Sequence, residues 1–242
     1  MTSEIQALGE ENVDAMAADH NAVVEPFFGR IHDDLAAGVS AARITPAEAM
    51  LQIRRRYLEL LTAGGQELDE TARRNLHYTS AIFAAYDVLD EHFDRAALIA
   101  GLTAAFVEPL APAVAAQTRA MLDAADDPFR AMVDYARSRE GHDFGGDFRF
   151  EHPVDDADRF FADVHRCGFH TTLSAHGAPE LTKVLCAFDA AWINAINPKR
   201  DGFTFDRATT IGHGGRMCPF HFQRTTISSH DTNGDGGNGE AT

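Results

Sequence analysis

Phe203-Thr-Phe-Asp-Arg-Ala-Thr-Thr-Ile-Gly-His-Gly-Gly-Arg-Met-Cys-Pro-Phe-His-Phe222 is the stretch whose reading decides the fold class. Phe203 and Phe205 alternate with polar residues, and Cys218, Phe220 and Phe222 alternate again after them, so the block reads as two strands with one apolar face each. Gly212, Gly214 and Gly215 lie between them, where a chain reversal needs backbone freedom and where bare N–H groups can meet a ligand. Arg207 falls in phase with the two phenylalanines and is expected to point inward.

Working upstream, Pro179 opens a helix with Leu181, Leu185, Phe188, Trp192 and Ile196 as its apolar stripe. Cys186 and Asp189, three apart, project from one face of it. Asp155 or Asp156 is expected to cap a further helix through Phe160, Phe161, Val164 and Cys167 toward Gly177. Asp147-Phe-Arg-Phe-Glu-His152, after the loop Gly141 to Gly146, alternates like a half-buried strand.

Residues 1–140 read as helices. Thr45-Pro46-Ala47-Glu48 has an N-cap, a proline at N1 and a glutamate at N3, the signature of a capping box. Met50, Ile53, Tyr57, Leu58 and Leu61 follow at helical spacing, and Gly64-Gly65 closes the segment. Another helix runs from near Asp69 to about His92. Asp94 caps the next, which Pro109 and Pro112 interrupt, and Asp127-Pro128 starts one ending near Arg139. The class is therefore α+β: a helical layer or bundle, then a β-α-α-β-β unit over 141–224 with a small antiparallel sheet. The Gly-rich polar tail, 225–242, is expected to be disordered, and the rest to form one compact domain.

A net charge of −16 leaves no dense basic face for nucleic acid and disfavours an anionic membrane. The most apolar window, Ala96 to Ala116, holds Glu108, Pro109 and Pro112, which fits buried helices better than a membrane span. Met-Thr-Ser-Glu-Ile-Gln has no basic or apolar leader pattern, and three cysteines without framework spacing fit free thiols, so a cytoplasmic protein is expected.

The C-terminal half resembles the L-2-amino-thiazoline-4-carboxylic acid hydrolase family. The residues that carry the resemblance are Phe148-Arg-Phe-Glu151, Cys167-Gly-Phe, and Pro179-Glu-Leu-Thr-Lys-Val-Leu-Cys-Ala-Phe-Asp189. Arg207-Ala-Thr-Thr-Ile-Gly and Gly215-Arg-Met-Cys-Pro-Phe-His-Phe222 complete them. The similarity extends weakly upstream through Asn75, Tyr86 and Asp127-Pro128-Phe129, covering about residues 70–224. One departure stands out. Family members usually end with Cys-Asp-Phe-Arg-Phe where this chain has Cys218-Pro-Phe-His-Phe222, and the loss of an acid and an arginine bears on the substrate.

The resemblance implies a hydrolase that opens a small cyclic isothiourea or amidine acid such as 2-amino-thiazoline-4-carboxylate to an N-carbamoyl amino acid, or a relative acting on a neighbouring small substrate; no cofactor is expected. Such chemistry needs a nucleophile or activated water, a proton donor for the leaving sulfur, and a cationic or N–H-rich grip on the carboxylate. Cys186, Asp189, Cys218 and His213 are the catalytic candidates. Arg207, Thr210, Gly212 and His221 are the substrate-binding candidates. His221 faces opposite to Cys218, so it borders the pocket only if the pocket lies on that face of the sheet. Cys167-x-x-His170, Cys186-x-x-Asp189 and Cys218-x-x-His221 mimic ligand pairs, but the strand pair splits across two faces and no metal is expected. The expected partner is a small-molecule carboxylate; self-association is open. A non-catalytic small-molecule-binding or sensor module with the same pocket is the competing function class.

Overall fold

The computed structural model describes residues 20–37, 44–64 and 68–225. The leader reading and the tail after Thr225 fall outside them. Six helices come first: α1 Asn21–Ala36, α2 Pro46–Gly64, α3 Glu70–Leu89, α4 Arg95–Val107, α5 Ala111–Ala124 and α6 Pro128–Arg139. Their starts are written locally. Thr45 N–H donates to Glu48 Oε2 at 3.1 Å while Glu48 N–H donates to Thr45 Oγ1 at 3.3 Å, closing the capping box. Asp69, Asp94 and Asp127 accept from the N–H groups of Ala72, Ala97 and Arg130.

α3 is the central helix, buried from Ala72 to Leu89 along most of its surface. Phe27, Phe28, Ile53, Ile82 and Leu102 pack with it into the larger of two apolar clusters. Leu58 is exposed, because it lies a hundred degrees round from Tyr57 and off the Ala49, Ile53, Tyr57, Leu60 stripe. Pro109 falls in the break between α4 and α5, which bend by 48°. Among the described residues no single helix is long and apolar enough to cross a membrane.

Four strands follow: β1 Arg149–Asp155, β2 Arg159–Arg166, β3 Phe203–Asp206 and β4 Cys218–Arg224. They form one antiparallel sheet in the order β1-β2-β4-β3. Between β2 and β3 lie α7 Gly168–Ala175, α8 Thr182–Phe188, α9 Ala190–Ile193 and α10 Pro198–Asp201. The fold is α+β as expected, but β2 occupies the place of the expected helix through Phe160, so two strands precede α7. Phe160, Ala162 and Val164 are buried at a period of two. Asp156, expected as a helix cap, instead accepts from the N–H groups of Asp158 and Arg159 and closes a hairpin turn. Aspartate makes the same side-chain-to-backbone bond in both settings.

The helix expected to run from Pro179 through Ile196 is also divided, with α8 ending at Phe188 and α9 beginning after Asp189. The hairpin of β3 and β4 is joined by a long loop, 207–217, rather than a tight turn. A second apolar cluster joins the sheet's inner face to α5, α6 and α9 through Phe160, Phe203, Phe222, Leu122, Met132 and Trp192. Arg119 on α5 grips the buried Asp201 of α10 with two bonds of 2.9 and 2.6 Å, fixing the entry to β3.

Candidate active site

A cavity of about 240 Å³ opens between the inner face of the sheet and helices α3, α5, α6 and α8. Alternation in β4 sends Cys218, Phe220 and Phe222 to its wall, and Phe150, Ala162 and Val164 reach it from β1 and β2. Phe144, Phe148, Tyr135, Phe188 and Trp192 complete an aromatic lining. The polar groups are few and gathered, as in sites that orient a small ligand.

All three cysteines border this cavity, each from a different element. Cys167 precedes α7, Cys186 lies on α8, and Cys218 begins β4. Burial pushes the Cys167 thiol up to about 12, with Cys218 and Cys186 adding to the rise. Burial likewise pushes Cys218 up to about 11, against an N–H bond from Ile211 to its Sγ at 3.1 Å. Cys186 is raised as well, by burial first and by Asp189, while Thr210, Arg207 and the Gly212 N–H work the other way. At rest these are thiols, not thiolates.

Asp189 and Arg207 form the charged part of the wall. Arg207 Nη1 donates to Asp189 Oδ2 at 2.5 Å, its Nη2 to the Cys186 carbonyl at 3.3 Å, and its guanidinium lies over the Phe220 ring. The second Asp189 oxygen accepts from Trp192 Nε1 at 3.1 Å. The break between α8 and α9 falls at the residue whose carboxylate ties those helices to the β3–β4 loop.

A second guanidinium stands beside this pair. Arg139, on the last turn of α6, donates through Nε to Asp143 at 2.6 Å and lies over the rings of Phe144 and Tyr135. Burial acts to lower its pKa, but Tyr135, Asp143 and Asp189 outweigh that and hold it above the ordinary guanidinium value. Asn75 Nδ2 donates to the Asp143 carbonyl at 2.9 Å, bracing the turn that carries the acid.

The β3–β4 loop brings Thr210, Gly212 and His213 together. The Thr210 hydroxyl lies 3.4 Å from Cys186 Sγ and 2.8 Å from His213 Nδ1, so one hydroxyl bridges a half-buried thiol and an exposed imidazole. Gly212 packs directly on Cys186, where a Cβ would stand 2.9 Å from the sulfur. Gly214, at φ +84°, turns the chain back toward β4.

His221 is placed elsewhere. Its Nε2 pairs with Asp163 at 2.8 Å and its ring stacks on Phe161, both on the outer face of the sheet. The substrate-binding role expected for it has no geometry here, because the helices and the cavity lie on the Cys218 face. Pro219 alternates outward with it, so the departure from the family's last strand does not touch the cavity. His170 turns to Thr182, at 3.1 Å. Among the described residues no three His, Cys, Asp or Glu side chains converge on a metal position.

Arg139, Asp143 and Gln117 line the cavity without standing out in the sequence, and Cys167, noted there in two motifs, lines it without being a site candidate. The only local mark was Arg139 with Asp143 four residues on, a spacing shared with any solvated helix pair. A family model described as L-2-amino-thiazoline-4-carboxylic acid hydrolase matches residues 73–222, from α3 to β4. No curated protein and no solved structure matches the chain.

Proposed function

The chain belongs to the L-2-amino-thiazoline-4-carboxylic acid hydrolase family, and from that premise we propose that it opens a small cyclic isothiourea acid by adding water to the carbon bonded to two nitrogens and sulfur. The product is an N-carbamoyl amino acid with a free thiol.

The observation that carries this reading is the file Cys186 Sγ, Thr210 Oγ1 and His213 Nδ1, at 3.4 and 2.8 Å, beside the Arg207–Asp189 pair. The Thr210 hydroxyl, which donates to Cys186 Sγ at rest, first turns its proton to His213 Nδ1; Cys186 then attacks the ring carbon as its proton passes to the Thr210 oxygen and the Thr210 proton moves to His213. This step requires the tautomer with Nδ1 unprotonated. The ring carbon–sulfur bond breaks and the sulfur leaves as a thiol, taking the proton that His213 received, passed back along the same file. Water then adds to the Cys186-bound carbon and the cysteine departs with its proton restored. A relay of this kind serves a half-buried thiol, since a free thiolate would be costly in this cavity.

Arg207 takes the substrate carboxylate with the donors left over from Asp189 and Cys186, and Asp189 accepts from the amidine nitrogens. Both Asp189 oxygens are already held, by Arg207 and by Trp192, so its part is to position. Cys218, with its Sγ held by the Ile211 N–H, supports the loop behind Cys186.

The test is an assay of thiol release from 2-amino-thiazoline-4-carboxylate with purified protein. Release that vanishes in Cys186→Ala while binding persists supports the hydrolase. The high thiol pKa values favour the second reading, a binding module, and tight binding without turnover in the wild type would establish it.

A further inference from the structure

Gln117, on α5, faces the cavity, and its Nε2 is the one buried side-chain nitrogen or oxygen among the described residues that lacks a hydrogen-bond partner. A buried amide donor without an acceptor costs stability, and native structures keep few of them. Val114, a turn earlier on α5, packs against the apolar cluster that holds Met132 and Phe222, so that neighbouring wall offers no acceptor. Tyr135 shares the same wall, and Arg139 lies over its ring at 5.7 Å. Arg139 in turn is close enough to Asp189 for that carboxylate to raise its pKa. The cavity thus presents an unpaired amide donor and three guanidiniums: Arg139 and Arg207, each already carrying one acid, and Arg74, which donates to the His142 carbonyl.

We propose that Gln117 is a substrate-recognition residue whose Nε2 donates to a carboxylate oxygen of the ring acid, the group that Arg207 and Arg139 on the same cavity lining also attract. A carboxylate is acceptor-only and has lone pairs for several donors at once, which suits a donor set with no free acceptor among its cations. The unpaired amide in the empty cavity is then the counterpart of selectivity: a ring without its acid leaves that donor unpaired, and the acid satisfies it. This assignment rests on the ring acid being the cavity's ligand, as proposed above.

The experiment is calorimetric binding of two probes, 2-amino-thiazoline-4-carboxylate and 2-amino-thiazoline without the carboxylate, to the full chain carrying Cys186→Ala to stop turnover. Adding Gln117→Met, of similar shape, is expected to weaken the acid about tenfold, the loss of a hydrogen bond to a charged group, and to leave the decarboxylated ring unchanged. Its unfolding midpoint without ligand is expected not to fall, since no protein partner is lost. Equal weakening of both probes, no weakening of either, or a lower midpoint with unchanged selectivity overturns the assignment, as does a parent protein that does not prefer the acid. Binding is read apart from chemistry. A wild type that binds the acid in this pattern yet releases no thiol sinks the hydrolase reading and leaves Gln117's role standing.

Discussion

Gly212 and Cys186 are in contact: a Cβ built on the glycine would stand 2.9 Å from Sγ and 3.0 Å from Thr182 Cγ2. No side chain fits there unless Cys186 Sγ and the Thr182 side chain shift or the loop moves away from α8. Gly212→Ala is therefore expected to cost about 1–3 kcal/mol in stability, the range for overpacking, as read by denaturant unfolding. It should also part Thr210 from Cys186, so turnover should fall more than tenfold while affinity for the ring acid falls less. A variant with wild-type turnover would show that the Thr210 contact is not used.

The thiols set a second expectation. With Cys167 at about 12, Cys218 at about 11 and Cys186 raised, all by burial first, native protein should alkylate slowly with iodoacetamide at pH 7. Labelling should begin only above the ordinary thiol range, about pH 8.5. Peptide mapping after timed labelling checks it. Fast modification of Cys186 at neutral pH would mean a thiolate at rest and would remove the need for a relay.

Arg207 and Asp189 should show coupling in a double-mutant cycle. Arg207→Met takes away the 2.5 Å partner and leaves Asp189 with Trp192 alone, while Asp189→Asn leaves a half-buried guanidinium short of its acid. The double variant is expected to be more stable than the sum of the single losses predicts, by about 0.5–3 kcal/mol. Arg207→Met should also weaken ring-acid binding by about 2 kcal/mol. Additive stability effects would mark the pair as two independent charges.

His77, which does not line the cavity, gives a separate dependence on pH. Burial first, then His20 stacked on it at 3.6 Å and Arg73, lower it to about 4, and its Nδ1 lies 2.5 Å from the Tyr57 hydroxyl. The folded pKa is below the unfolded one, so the unfolded state binds the proton more readily. The stability that neutral His77 contributes is full above about pH 6.5 and is lost as pH falls toward 4. Thermal midpoints measured across that window should decline, and His77→Gln should flatten the decline. An unchanged slope in the variant would assign it to other groups.

The helices were legible because their signals are local. Thr45 with Glu48, Asp69, Asp94 and Asp127 each mark a start within four residues, and each makes its bond in the structure. β2 was not, because Asp156 looks the same before a helix as in a hairpin turn, and Phe160, Phe161 and Val164 suit either period over so short a run. In the site, Cys186, Asp189 and Arg207 were found by spacing and phase, and Asp189 is the acid on Arg207. His221 was carried by its motif, yet the face it serves depends on where helices pack, which no strand records by itself. Arg139 and Gln117 lie far from the cysteines in the chain and reach the cavity only through the packing of α5 and α6.

β4 can be read as two interleaved texts. Positions 218, 220 and 222 are Cys, Phe and Phe, as in the family's usual ending, and they speak only to the cavity. Positions 219 and 221 differ from that ending and lie off the cavity wall, Pro219 buried without lining it and His221 meeting Asp163 on the sheet's other face. The second text of such a strand can be rewritten while the wall that meets a ligand keeps its wording. Two members of this family that disagree at every second residue here can share a substrate, and resemblance along β4 is better judged on the cavity-facing half alone.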